Sequence, residues 1–220
     1  MKLVVFGSTG GIGRHVVEQA LQAGHTVTAI ARRPETIALH HEHLRVVKGD
    51  ALQPGTFASV ITNHDAVVSA LGVPSLEPTT LYSQGVANIM QAMQALHIKR
   101  LICVSASGLE TGNGTPLWQK VVLKVFLQRI LRESYADLLR MESLLRASSL
   151  DWTSLRPPRL TNGPRTGHFQ VAPSQRHQTT ASVSRADVAA CILACLADDS
   201  TYRAWAELEL IPNWRTTKAS

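Results

Sequence analysis

The residues best suited to chemistry in this 220-residue chain come early. Gly7-Ser8-Thr9-Gly10-Gly11-Ile12-Gly13 sets glycines at G-x-x-G-x-x-G spacing, between an apolar run and an amphipathic segment. In that context the spacing makes a cradle for a pyrophosphate, where alone it would be a tight turn. Gly7 lets the chain turn sharply, Gly10 lets backbone amides reach phosphate oxygens with no Cβ in the way, and Gly13 lets the following helix pack closely. The helix N-terminus adds partial positive charge. Gly7, Ser8, Thr9, Gly10, Gly11 and Ile12 are therefore the expected phosphate-binding residues.

The second apolar run ends in Ile30-Ala31-Arg32-Arg33-Pro34. An acidic residue there would bind an adenine-ribose 2′-hydroxyl. Two arginines without a carboxylate favour a 2′-phosphate instead, because a guanidinium binds phosphate oxygens bidentately and stacks on adenine. The expected cofactor is NADP (NADPH) rather than NAD. Asp50 and Ala51, at the end of the third run, are expected near the adenine edge. Ala70, Leu71 and Gly72, after the fourth, are expected under the ribose and pyrophosphate, since ligands gather at the carboxyl edge of such sheets.

Downstream, "RESYADLLRMES" (132–143) raises the question of the proton donor. A tyrosine whose pKa is lowered by a lysine one helical turn later would serve a carbonyl reductase. Here the residue four after Tyr135 is Leu139.

Elements must hold these groups. Apolar runs at 2–6, 26–30, 44–49, 65–72 and 100–107 alternate with helical patterns, best developed at 11–24 and 80–96. Continuous apolar strands separated by helices predict a mainly parallel sheet covered on both faces. The expected fold is a single-domain, doubly wound, Rossmann-like α/β structure spanning 1–220. Substrate-side segments are expected at about 108–133 and 161–183. The first contains an amphipathic helix with a basic face, 116–133, read as a packed helix, a lid, an oligomer contact or a membrane-surface helix. The second is polar and turn-rich, with an expected hairpin.

Composition narrows the classes. Hydrophobic residues make up 45% and charged residues 17%, an ordinary globular balance. No run of about eighteen apolar residues exists, so no membrane-spanning helix is expected. The amino end reads as a strand and not as a signal peptide, which makes cytoplasmic residence the default. The net charge of +6 comes from scattered basic residues. No nucleic-acid module appears, so the expected partner is a small-molecule substrate, aromatic or anionic, with the chain a monomer or weak dimer. Cys103, Cys191 and Cys195 form no disulfide framework and read as core residues. "HHEH" (40–43) lacks helical i, i+4 pairing and reads as a solvated loop; no metal is expected. His168, beside Arg165, is a candidate for binding an acidic or aromatic substrate, and His97 a surface residue.

With the glycine loop, "ARRPE", "GD", "SALG", "VSASG", "LLRASSLDWTSLRPPRLTNGPRTG" and "VSRADVA" in register, the chain resembles the atypical short-chain dehydrogenase/reductases. More narrowly it is similar to their NAD(P)H-binding branch that includes biliverdin-IXβ reductase/flavin reductase. That resemblance implies a strand ending in a Pro-Pro turn, with Pro157, Pro158, Arg159 and Leu160 bordering the nicotinamide. It puts Ser105 and Ser107 close to the catalytic serine position, and makes Ser184 and Asp187 a helix cap. Two departures matter. The branch often has histidine where this chain has Arg159. Relatives with a working Tyr-x-x-x-Lys carry a glutamate four residues after the lysine. Setting that glutamate on Glu142 places Leu138 at the lysine and Ser134 at the tyrosine. Tyr135 then lies about 100° around the helix, a pocket-wall candidate with Arg140.

A flavin, quinone or tetrapyrrole needs less from the protein than a simple carbonyl, because its π-system delocalises the incoming charge. The expectation is an NADPH-dependent oxidoreductase for such an acceptor, with Ser105 or Ser107 donating a hydrogen bond and Arg159 stabilising anionic charge. The alternatives are an NADP(H)-sensing regulator without catalysis and a cofactor-dependent isomerase or epimerase.

Overall fold

The computed structural model describes residues 1–73, 78–107, 133–173 and 182–210. The basic amphipathic segment 116–132 lies outside them.

Five apolar runs become the strands β1 (Lys2–Phe6), β2 (Thr26–Ala31), β3 (Leu44–Lys48), β4 (Ala66–Ser69) and β5 (Arg100–Val104). They are followed by β6 (Asp151–Arg156), β7 (Arg159–Thr161), β8 (Phe169–Pro173), β9 (Ser182–Ser184) and β10 (Ala204–Leu210). The main sheet has the order β3-β2-β1-β4-β5-β6-β10-β8. All its pairings are parallel except that of β8, which runs antiparallel along β10. The doubly wound expectation holds. The strand order reverses between β1 and β4, and that switch point leaves a crevice at the carboxyl edge.

Side-chain alternation on β1 divides the core. Leu3 and Val5 face helices α1 (Gly11–Gln22) and α4 (Arg185–Leu196). Val4 and Phe6 face α2 (Leu81–Ala95) and α3 (133–147). Both faces are buried, which is why these strands read as continuous apolar runs. Cys103, Cys191 and Cys195 are buried free thiols, as expected. Helix α4 packs against α1 and presents Val188, Cys191, Ile192 and Cys195 to that side.

Two polar anchors fix α3. Buried Glu142 accepts hydrogen bonds from Arg156 Nε (2.9 Å), Arg156 Nη2 (2.6 Å) and Ser154 Oγ (2.9 Å), fastening α3 to β6. Fully buried Asp137 accepts from Tyr82 N (2.9 Å), Ser83 N (3.3 Å) and Ser83 Oγ. The first turn of α2 is thus capped from another helix, since Thr80 supplies no side-chain cap of its own.

The hairpin expected within 161–183 falls in part on residues 174–181, which lie outside the described ones, and the strands described on either side of them do not pair with each other. β8 pairs with β10, and β9 pairs parallel with β7. A parallel pair needs a crossover connection and not a tight turn. The strand β10 was not anticipated from the sequence: "AWAELEL" buries Ala204, Ala206 and Leu208 but interleaves them with glutamates, so it lacks the continuous apolar signature.

Candidate dinucleotide and acceptor cleft

A cleft of about 600 Å³ opens where β1 and β4 diverge, walled by the carboxyl ends of β1 to β5. The glycine loop forms its floor. Gly7 adopts φ +71°, and a Cβ there would lie 2.2 Å from the Ala70 carbonyl oxygen, so β4's end and the loop touch backbone to backbone. Gly10 N donates to Gly7 O at 2.9 Å, closing the turn. A Cβ on Gly13 would lie 2.1 Å from Gly7 O. The first turn of α1 therefore sits directly against the loop. Helix α1 has neither a capping side chain nor an acidic residue in its first turn, so its amides are available to an anion.

Of the expected cofactor-binding residues, Gly7, Thr9, Gly10, Gly11 and Ile12 line the cleft, as do Arg32, Asp50, Ala51, Ala70, Leu71, Gly72 and Leu160. Ser8 does not: its buried hydroxyl donates to Ile30 O at 2.9 Å, tying the loop to β2. Arg33 also lies off the wall, exposed, with its carbonyl accepting from Thr36 N and Thr36 Oγ1 in the short helical turn Pro34–Thr36. Both arginines are exposed; Arg32 forms part of the cleft wall and Arg33 does not. Asp50 and Ala51 are held by local bonds: Asp50 Oδ1 accepts from Leu52 N, and Ala51 O accepts from Asn88 Nδ2 on α2.

Ser105 stands at the other end of the cleft, 7% exposed, and its Oγ has no hydrogen-bond partner among the described residues. A buried hydroxyl without a partner costs free energy unless something else satisfies it. Ser107 is outside the wall; its amide donates to Pro157 O at 2.9 Å, joining β5's end to the Pro-Pro turn. Pro157 is buried, Pro158 half-buried and Arg159 exposed, none of them in the wall. The expected catalytic set therefore separates, with Ser105 alone facing the cleft.

Helix α3 contributes Ser134, Tyr135 and Leu138. Tyr135 thus joins the wall beside the two registered positions, while Arg140 pairs with Asp137 at 3.2 Å outside it. Burial raises the Tyr135 phenol above its ordinary value and keeps it protonated. Tyr82, also in the wall, is pushed up chiefly by burial, against a hydrogen bond from Val73 N to its oxygen.

Arg185, the first residue of α4, is a charged wall residue that sequence reasoning passed over, as it did Tyr82. A signal was present: a cation in a helix's first turn opposes that helix's own dipole, so its placement calls for another reason. Its neighbours behave as the resemblance implied. Ser184 Oγ caps α4 by accepting from Asp187 N at 2.9 Å, and Asp187 Oδ1 accepts from Thr166 N and Gly167 N. Arg165, His168 and His97 are exposed and outside the cleft. The "HHEH" loop is exposed, and among the described residues no group of three metal-ligating side chains converges.

The chain matches the family model described as NAD(P)H-binding over residues 7–199. It belongs to that family. Family relatives carry varied names. The Photosystem II assembly factor Ycf39 of Synechocystis is 31% identical over 109 residues, covering 48% of this chain and 33% of that protein. The chain thus spans only part of that relative. The chloroplastic protein At2g34460 of Arabidopsis thaliana is 26% identical over 92% of this chain and 74% of its own length. YhfK of Bacillus subtilis, whose name refers to a sugar epimerase, is 27% identical over 91% of this chain and 90% of its own. Among solved structures, the oxidoreductase ylbE of Lactococcus lactis superposes with a TM-score of 0.79 at 21% identity, over 96% of this chain and 91% of that one. A Veillonella parvula short-chain dehydrogenase/reductase in complex with NADP superposes with a TM-score of 0.76 at 25% identity, over 94% and 93%.

The residues present fit a dinucleotide. Glycines keep the floor clear where side chains would fill it, an uncapped helix end faces the space, and a buried hydroxyl at the far end lacks a partner among the described residues.

Proposed function

We propose that this chain is an NADPH-dependent oxidoreductase that reduces a flavin, quinone, tetrapyrrole or similar conjugated acceptor. The observation that carries the reading is the buried Ser105 hydroxyl, without a partner among the described residues, in a cleft wall that also holds Ser134 and Tyr135, with Leu138 where a lysine would stand. Bound NADPH supplies the hydride.

The chain's own residues then bind, orient and exclude water. Amides of Gly11 and Ile12 hold the diphosphate, with Gly10 leaving the approach free of a Cβ, and Arg32 takes the 2′-phosphate. Asp50 and Ala51 border the adenine. Ala70, Leu71 and Gly72 lie beneath the ribose and pyrophosphate, and Leu160 borders the nicotinamide. Ser105 donates a hydrogen bond to the acceptor atom that gains charge. Without a lysine to lower its pKa, the Tyr135 phenol is a poor proton relay, which suits an acceptor that delocalises charge and takes its proton from solvent.

Spectrophotometric loss of NADPH with FMN, biliverdin and quinones tests the proposal. Turnover with at least one is expected, and it should fall about tenfold or more in Ser105→Ala. Tight NADPH binding with no turnover on any acceptor rejects it. That outcome would favour the second reading, a nucleotide-sensing protein that signals by changing partners, which the assembly-factor relatives support.

A further inference from the structure

Arg185 occupies a place that its own helix does not explain. It follows the cap Ser184 at the start of α4, where positive charge is unfavourable. Its side chain crosses the glycine loop. From the position a Gly11 Cβ would take, Arg185 Cδ is 2.5 Å away, Nε 2.7 Å and Cζ 3.8 Å. The absence of a side chain at Gly11 is thus what lets the guanidinium lie over the first turn of α1. Arg185 Nη1 donates to Asn162 Oδ1 at 2.7 Å, which sets the plane of the fork. Nε and Nη2 have no partner among the described residues, and the residue forms part of the cleft wall. An anion held by the amides of α1 would therefore meet a second set of donors, in the planar arrangement that suits two phosphate oxygens.

We propose that Arg185 is a diphosphate-binding residue, closing over the cofactor's pyrophosphate from the side opposite the α1 amides, with Asn162 as the residue that orients it. This rests on the dinucleotide reading of the cleft and deepens it. Three consequences separate Arg185 from Arg32. Arg185 acts on the diphosphate, which NADPH and NADH share, so its loss weakens both alike. It has no part in binding the 2′-phosphate. Its fork shape matters, so a lysine recovers only part of the affinity.

The test compares wild type, Arg185→Ala and Arg185→Lys by calorimetric titration with NADPH, NADH and adenosine 2′-monophosphate, which has no diphosphate. Arg185→Ala is expected to weaken both dinucleotides by about ten- to a hundredfold. Adenosine 2′-monophosphate should bind within about twofold of wild type, which also shows that the variant is folded, and Arg185→Lys should fall between. Unchanged dinucleotide affinity in Arg185→Ala overturns the proposal while leaving the cofactor reading intact, as does an equal loss for adenosine 2′-monophosphate. If wild type binds neither dinucleotide, the cofactor reading itself fails and the proposal with it.

Discussion

Gly13→Ala inverts a familiar rule. In a helix, alanine is ordinarily favoured over glycine by about 1 kcal/mol. Gly13 lies in the first turn of α1 with no positive φ, so backbone conformation raises no objection. The obstacle is contact. An alanine Cβ would stand 2.1 Å from Gly7 O, 2.7 Å from Gly7 C and 3.0 Å from Ser8 Cα, all backbone atoms. Reaching an ordinary separation requires the loop to move about 1.3 Å from the helix. That displacement strains the Gly10 N to Gly7 O bond and the buried Ser8 Oγ to Ile30 O bond, both 2.9 Å. Losing two such bonds costs about 1 kcal/mol each, and the desolvated Ser8 hydroxyl left behind adds about 1–3 kcal/mol. Set against the propensity gain, the net destabilisation is about 2–4 kcal/mol. For a chain of this size that lowers Tm by roughly 5–15 °C. Thermal unfolding followed by circular dichroism measures it, with Gly55→Ala as the control. A Cβ on Gly55 meets nothing within 4 Å, so that variant should stay within about 0.5 kcal/mol of wild type. A Gly13→Ala protein that melts at or above wild type refutes the reasoning.

The remaining predictions concern the two ends of the cleft. Arg32 forms part of the cleft wall and Arg33 does not, so Arg32→Ala should weaken NADPH by about ten- to a hundredfold and NADH by less than about threefold. Arg33→Ala should shift both by less than about threefold, and titration with each nucleotide distinguishes the cases; equal losses in Arg32→Ala reject the 2′-phosphate role. Asp137→Ala removes the carboxylate that caps α2 from α3 and should destabilise the fold by about 2–3 kcal/mol in urea titration. Asp137→Asn keeps an acceptor and should recover about half; an alanine variant as stable as wild type would show that α2 does not depend on this cap.

Much of the scaffold was legible in sequence because burial on both faces writes itself as uninterrupted apolar runs. The glycine loop was legible for a related reason: backbone packed on backbone at 2.1–2.2 Å of a would-be Cβ leaves only one residue type. Glu142 binds Arg156 and Ser154 and so fastens α3 to β6, but Tyr135 lines the cleft together with Ser134 and Leu138, so the spacing from Glu142 alone does not take Tyr135 out of the wall. Edge structure was harder. β10 alternates apolar and acidic residues, and β8 and β9 find partners remote in sequence, so no local pattern announced their pairing.

The division within the site follows the same physics. Sequence alone determined that a glycine-rich turn follows the first strand, that two arginines follow the second, and that no Tyr-x-x-x-Lys pair exists. Only the tertiary structure decided which side chains those elements present. It put Arg32 and not Arg33 in the cleft wall, committed the Ser8 hydroxyl to Ile30, and left the Ser105 hydroxyl buried without a partner among the described residues. It also brought Arg185 across Gly11 from 174 residues away. Residue type fixes what a group can do. Its direction and its neighbours come from packing between elements distant in the chain, and no spacing along one segment records that.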